Sequence, residues 1–258
     1  MGENTVLVEK KDMIGVITLN RPADMNTFNV PFAKALNDTL RDLDRDDEVR
    51  VIVIRAAGKH FSTGISLKEF QGKSPKELRD FLELMDEFYH TIPRMKKPVI
   101  ASVNGAAVAN GAGLVFACDL AVAAENAKFG TTAINVGLIC LGPAVPLTRQ
   151  VTRKKALEMV LTGDIFSAQE AERLGLVNKV VPPDELEAAT MELAAKIAHK
   201  SPLAVQIGKT GIYGMSEIPY HQALNYMDEL FASLCATKDA LEGIDAFLEK
   251  RDPVWKLQ

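Results

Sequence analysis

From Val6 to about Asn135, short apolar strands alternate with amphipathic helices, and this alternation constrains the fold more than any other feature. Val6-Leu7-Val8 and Ile14-Gly15-Val16-Ile17-Thr18-Leu19 read as two strands, with Lys10-Lys11-Asp12 as a polar hairpin turn and Asn20-Arg21-Pro22 as the stop. Val30 to Leu43 carries Phe32, Leu36, Leu40 and Leu43 at helical spacing. Val49 to Ile54 is β-branched and apolar enough to be buried on both faces, as an inner strand of a parallel sheet must be. A helix is expected over Pro75–Ile92, with Leu78, Phe81, Leu82, Met85 and Phe88 on one face. Strands follow at Pro98–Val103, at Leu120–Ala123 and from Lys128, and a helix from Leu114. The pattern predicts a layered α/β core on a largely parallel sheet.

Beyond it the chain reads as helices: Thr148–Thr162, Ser167–Leu174, Glu185–His199, Leu203–Tyr213 and Tyr220–Leu248. The expected division is a core over residues 1–195 and a C-terminal helical region over 196–258. That region is too apolar to be a solvated appendage, so it must pack on the core or on a neighbouring subunit.

Composition bounds the function. The 258 residues are 47% hydrophobic and 25% charged, enough for a large core. A net charge of −4 argues against a nucleic-acid surface, which needs a basic stripe. No apolar run reaches the roughly 20 residues of a membrane span. Met1-Gly2-Glu3-Asn4 resembles neither a signal peptide nor a transit peptide. Cys118, Cys140 and Cys235 are odd in number and far apart, and they share no ligand spacing with His60, His90, His199 and His221. No metal is expected, and a reducing, cytoplasmic setting is.

Two segments carry candidate chemistry. In each, a strand enters a loop of small residues that leads to a helix. One is Ile52-Val53-Ile54 followed by Phe61-Ser62-Thr63-Gly64-Ile65-Ser66-Leu67-Lys68-Glu69. The other is Val99–Val103 followed by Asn104-Gly105-Ala106-Ala107-Val108-Ala109-Asn110-Gly111-Ala112-Gly113. In a parallel sheet such loops sit at the carboxyl ends of the strands, where α/β proteins place ligands. Small side chains admit a ligand to the backbone, and free N–H groups at a helix start can hold a developing negative oxygen. Tight turns, with Asn110 as a helix cap, explain the same residues. Neither a Walker phosphate loop nor a Gly-x-Ser-x-Gly elbow is present.

Further segments recur in order: Leu19-Asn20-Arg21-Pro22, Pro98-Val99-Ile100-Ala101 with Asn104-Gly105, Cys118-Asp119, Lys128-Phe129-Gly130 and Ala156–Asp164. Ser167–Ala171, Gly175-Leu176-Val177 and Glu242–Arg251 complete the set. Together they resemble the crotonase superfamily of enoyl-CoA hydratases and isomerases, nearly end to end. Asn135-Val136-Gly137-Leu138, Cys140 and the tail Lys250–Trp255 resemble a narrower branch, the enoyl-CoA hydratase domain-containing type 3 proteins. The resemblance implies a spiral of ββα units, a C-terminal trimerisation region and homotrimers or dimers of trimers. It implies an acyl-CoA thioester as ligand, with coenzyme A as part of the substrate and no other cofactor. The thioester oxygen would be held by the backbone N–H groups of Ile65 and Asn110, with Gly111 adjacent. Coenzyme A contacts map to Ala23, Asp24, Met25, Thr63, Ser66, Leu67 and Lys68. Thr132 and Ala133 fall at the acyl site, and Phe247 and Lys250 would reach a neighbour's adenine end. Helical core spacing also explains Phe247, and solvation Lys250.

The resemblance fails at the acids. Hydratases of the family carry two carboxylates, which orient a water and shuttle its protons. Those positions are Gly113 and Ala133 here, and no Asp or Glu lies between Lys128 and Leu157. A non-catalytic acyl-CoA-binding protein is therefore the competing expectation. Thr131, Thr132 and Asn135 could position water but are poor bases. Cys140 reads as a small buried residue. Glu83, Asp86 and Glu87, on the helix that would flank the acyl pocket, read as its exposed polar face.

Overall fold

A computed structural model describes residues 4–258; Met1 to Glu3, on which the reading of the terminus partly rests, lie outside the described residues. The main sheet has six strands in the order β1-β2-β3-β4-β6-β9. These are β1 (Val6–Lys11), β2 (Ile14–Leu19), β3 (Val51–Ala56), β4 (Val99–Val103), β6 (Leu120–Ala124) and β9 (Lys179–Val181). Only β1 and β2 pair antiparallel; every other pair is parallel. A three-stranded sheet joins β5 (Ala106–Val108), β7 (Lys128–Gly130) and β8 (Ile165–Ser167). β4 and β6 of the main sheet are thus each followed by a strand of the second sheet and then by a helix.

The helices are α1 (Val30–Arg45), α2 (Pro75–Met85), α3 (Glu87–Arg94), α4 (Asn110–Ala117), α5 (Leu141–Gln150), α6 (Arg153–Thr162), α7 (Ala168–Arg173), α8 (Leu186–Ala198), α9 (Pro202–Met215), α10 (Tyr220–Cys235) and α11 (Lys238–Glu249). β3 shows how the layers form. Its Val51 and Val53 pack with Ala194 and Ala198 of α8, while Ile52 and Ile54 join Phe32, Leu36 and Leu40 of α1. Successive side chains of a strand point to opposite faces, so an uninterrupted apolar run needs cover on both. The expected core boundary at residue 195 lies inside α8, which covers one face of the sheet. Among the described residues no helix is long and apolar enough to cross a membrane.

Several expected elements are divided. The first hairpin turns at Asp12 and Met13, both at positive φ, so Lys10 and Lys11 belong to β1. Positive φ at both central residues matches the twist of the flanking strands. The expected helix over 148–162 is two, because Val151 is extended and Thr152 caps α6. The expected helix over 220–248 is also two, and Thr237 caps α11 by accepting from Ala240 N at 3.1 Å. The expected helix over 75–92 breaks at Asp86 (φ −99°, ψ 0°).

α9 is bolted to the core by a buried ion pair. Lys209 Nζ donates to Asp119 Oδ2 at 2.7 Å and to Lys97 O at 2.9 Å. Asp119 also accepts from Val99 N at 2.7 Å and Tyr213 OH at 2.9 Å. α10 leans on α9 but has no fully buried residue. Lys209→Met leaves Asp119 without its cation and is expected to cost about 3–5 kcal/mol, the usual penalty for an orphaned buried charge, read from urea denaturation.

Candidate active site

The two small-residue loops meet backbone to backbone. Ser62 N donates to Ala106 O at 3.1 Å and Val108 N to Ser62 O at 3.0 Å, so the first loop pairs with β5. Glycines set the closeness. A Cβ on Gly64 would stand 2.7 Å from Ala109 Cβ and 3.4 Å from Asn110 N, and Gly64 has φ +97°. A Cβ on Gly111 would overlap the carbonyl of Ser62.

This contact aims two sets of amides. Phe28 supplies both bonds of its parallel bridge with Ile65: Phe28 N donates to Gly64 O and Ser66 N to Phe28 O. The N–H of Ile65 therefore faces the other side and donates to no protein acceptor among the described residues. α4 begins at Asn110 without a side-chain cap. The N–H groups of Asn110 and Gly111 are thus the open donors of a helix start, at the positive end of its dipole. Ala109 before them is strained (φ 49°, ψ −124°), held by a bond from its N to Gly130 O at 2.8 Å.

Asn110 is not a cap, contrary to one expectation. It is the first helical residue, and its buried side chain ties α4 to α2 and α3. Nδ2 donates to Met85 O at 3.1 Å, and Oδ1 accepts from Tyr89 OH at 3.1 Å. The first bond takes the Met85 carbonyl at the point where the helix breaks.

Ala23, Asp24 and Met25 form an exposed turn whose Met25 carbonyl accepts from Thr63 N at 3.2 Å. Asn26, passed over in the sequence, ties this turn down. Buried, it donates to Ala57 O and His60 O at 2.9 and 2.8 Å and accepts from Arg21 N at 2.7 Å. Ser66 is partly buried, and Leu67 and Lys68 are exposed beside the same loop. The Thr63–Met25 bond brings the first loop against this turn.

Thr131 is fully buried and donates to Met159 O at 2.7 Å, which commits its hydroxyl to the fold. Thr132 and Ala133 are partly buried in the turn after β7, and Asn135 leans toward Gly163 O at 3.4 Å. Cys140 is buried, and burial pushes its thiol up, away from nucleophilic use. Phe247 is 83% exposed at the end of α11, with Lys250 exposed beyond it, so neither Phe247 nor Lys250 is held in this chain's core.

The three acids expected on an exposed face part company. Glu83 is exposed, and Glu87 pairs with Arg41. Asp86 is turned inward at the α2–α3 break, and desolvation pushes its carboxyl up to about 6. Tyr89, a second residue passed over, fills the space beside Gly113, where any Cβ would overlap its hydroxyl. Burial drives that phenol well above its ordinary range, with the nearby Asp86 adding to the effect.

The Enoyl-CoA hydratase/isomerase family profile matches residues 9–258. The chain belongs to that family, the crotonase superfamily. It is 41% identical over 246 residues to the human enoyl-CoA hydratase domain-containing protein 3, mitochondrial, covering 95% of this chain and 81% of that protein. It is 35% identical to a crotonyl-CoA hydratase of Syntrophomonas wolfei, over 97% of both chains. The crystal structure of an enoyl-CoA hydratase from Mycobacterium smegmatis superposes with a TM-score of 0.95 at 38% identity, covering 98% of this chain and 99% of that one. The domain-containing type 3 branch is thus among its relatives, and the crotonase fold is common to them.

The raised carboxyl of Asp86 has a stability consequence. The folded chain holds this proton to higher pH than the unfolded chain, so stability is lost as pH climbs from about 4 through 6. Asp86→Asn removes that loss. The variant is expected to be more stable than the parent by on the order of 1–3 kcal/mol at pH 8, with the gap narrowing toward pH 4, by urea denaturation across that range.

Proposed function

We propose that the chain is an acyl-CoA-binding enzyme of the enoyl-CoA hydratase/isomerase type, in which the N–H groups of Ile65 and Asn110, with Gly111 beside them, hold the thioester oxygen. The observation that carries this reading is the pairing of the outward-facing Ile65 amide with the uncapped start of α4. Donors fixed in place before reaction stabilise the enolate oxygen more than the neutral carbonyl, because its charge is larger and the donors need no reorganisation. Coenzyme A enters as part of the substrate, along the rim formed by Ala23, Asp24, Met25, Thr63, Ser66, Leu67 and Lys68. Met25 and Leu67 offer exposed apolar surface there, and Lys68 a cation for phosphate. The acyl end lies toward Thr132 and Ala133.

Gly113 and Ala133 stand against ordinary hydration, because neither can move a proton. With crotonyl-CoA, turnover is expected at least ~100-fold below that of the Syntrophomonas relative in the same assay, the usual loss when a general acid–base group is removed. A matching rate would refute the importance given to these two positions. The same residues favour a second reading, a protein that binds acyl-CoA without turning it over. It predicts retention of an acyl-CoA from a mixed pool with no change of its mass.

The reading also includes a homotrimer or a dimer of trimers. Tyr220 and Phe231 of α10 are 77% and 66% exposed, and Leu241, Ile244 and Phe247 of α11 are open too. Faces this apolar are costly in water and are commonly covered by a partner. Mass photometry is expected to find three or six chains together, and a monomer at micromolar concentration would overturn this part of the proposal.

A further inference from the structure

We propose that Asp86, at the break between α2 and α3, is the proton-transfer group of this site at the acyl α-carbon, without the water-orienting role that hydration asks of the carboxylates absent at positions 113 and 133. The inference rests on the acyl-CoA reading above and adds to it the residue that moves the proton.

Geometry carries the case. The side chain of Asn110 grips both flanks of Asp86, donating to Met85 O and accepting from Tyr89 OH, each at 3.1 Å. The residue whose backbone N–H would hold the thioester oxygen thereby fixes the position of the acid. Tyr89 N donates to Asp86 O at 3.0 Å and completes the turn. Across from Asp86 lies Gly142, near the start of α5, where a Cβ would stand 2.7 Å from Asp86 Oδ2. Glycine there leaves the carboxylate uncovered. No protein donor among the described residues hydrogen-bonds either carboxylate oxygen, so neither is spent on structure. Asp86 also borders an open cleft of about 930 Å³ along α2 and α3, shared with Leu78, Leu82, Glu83, Glu87 and His90.

No other acid on these helices competes. Glu77 is engaged in the capping box with Ser74, Asp80 and Glu83 face solvent, and Glu87 is paired with Arg41. Tyr89 on α3 and Cys140 before α5 lie near Asp86, both neutral at physiological pH because burial raises them, and Arg79, Glu83, Glu87 and His90 line the cleft it borders. A carboxyl held near 6 by its surroundings is a base matched to neutral pH.

The step is a proton transfer. The Asp86 carboxylate takes a proton from the α-carbon of the acyl group. The C–H electron pair becomes the enolate double bond, and the carbonyl π pair moves onto the thioester oxygen between the Ile65 and Asn110 amides. Reversal returns a proton to the same carbon.

Deuterium exchange at the α-carbon tests this without assuming the physiological reaction. The protein is first titrated with a series of saturated acyl-CoAs to find one that binds. That ligand is then incubated with enzyme in D2O and its mass followed. The parent is expected to incorporate deuterium, with a rate that rises through an inflection near pH 6. Asp86→Asn is expected to bind the ligand unchanged but to exchange at least ~100-fold more slowly, without the inflection. Asp86→Ser serves if the first variant does not fold, and Glu83→Gln is expected to behave as the parent. Exchange that survives in a binding-competent Asp86 variant overturns the proposal, as does a parent that binds but never exchanges; both leave acyl-CoA binding intact. A parent that binds none of the series refutes the acyl-CoA reading itself, and this proposal with it.

Discussion

The site depends on the contact between two backbones, Gly64 against Ala109 and Ser62 against Gly111. Side chains at either glycine would push the loops apart and separate the Ile65 amide from the start of α4. The strain at Ala109 has the same origin. The chain must leave β5, bond to Gly130 O and enter α4 within two residues, and Ala109 absorbs the turn at a backbone conformation costing on the order of 1–3 kcal/mol. Surrounding bonds hold it there: Val108 N to Ser62 O on one side, and the Asn110 side chain to Met85 O on the other. Strain that persists because its neighbours over-determine it is characteristic of a preorganised site.

Much of this was legible in the chain, and the rest was not for identifiable reasons. The inner strands announce themselves because burial on both faces demands an unbroken apolar run, as in Val51-Ile52-Val53-Ile54. The two loops announce themselves through small residues after such strands. The helix breaks do not. The apolar spacing Leu78, Phe81, Leu82, Met85, Phe88 runs through Asp86 unperturbed, and the break coincides with a bond from Asn110, far along the chain, to Met85 O. The first hairpin lacks the glycine that marks such turns, so Asp12 and Met13 gave no sign of their positive φ. Asn26 and Tyr89 share one defect as signals. Each is a polar group satisfied by a distant partner, and neither periodicity nor local composition records such pairings.

The assignment of Asp86 to an exposed face failed for a similar reason. Helical periodicity places residues on faces only while the helix continues, and at a break the side chain can turn inward. Once inward, the carboxylate is costly, and the fold offers it no protein donor among the described residues to offset burial. A residue that destabilises the folded chain and is held in place by a neighbour's side chain fits the wider pattern in which sites of chemistry draw on stability found elsewhere in the molecule.

The glycine at 113 then acquires a cause. A Cβ there would overlap the Tyr89 hydroxyl, and that hydroxyl is one of the two bonds that hold Asn110. A carboxylate at 113 and a tyrosine at 89 cannot both be seated as the site is built. Placing glutamate at 113 alone would displace Tyr89 and loosen Asn110, damaging the proposed oxyanion donors in the act of supplying an acid. Residues 86, 89, 110, 113 and 142 form one packed arrangement, in which Gly113 leaves room for the Tyr89 hydroxyl and Gly142 for the Asp86 carboxylate. Glycine at 113 is therefore what lets Tyr89 reach Asn110 and hold its side chain.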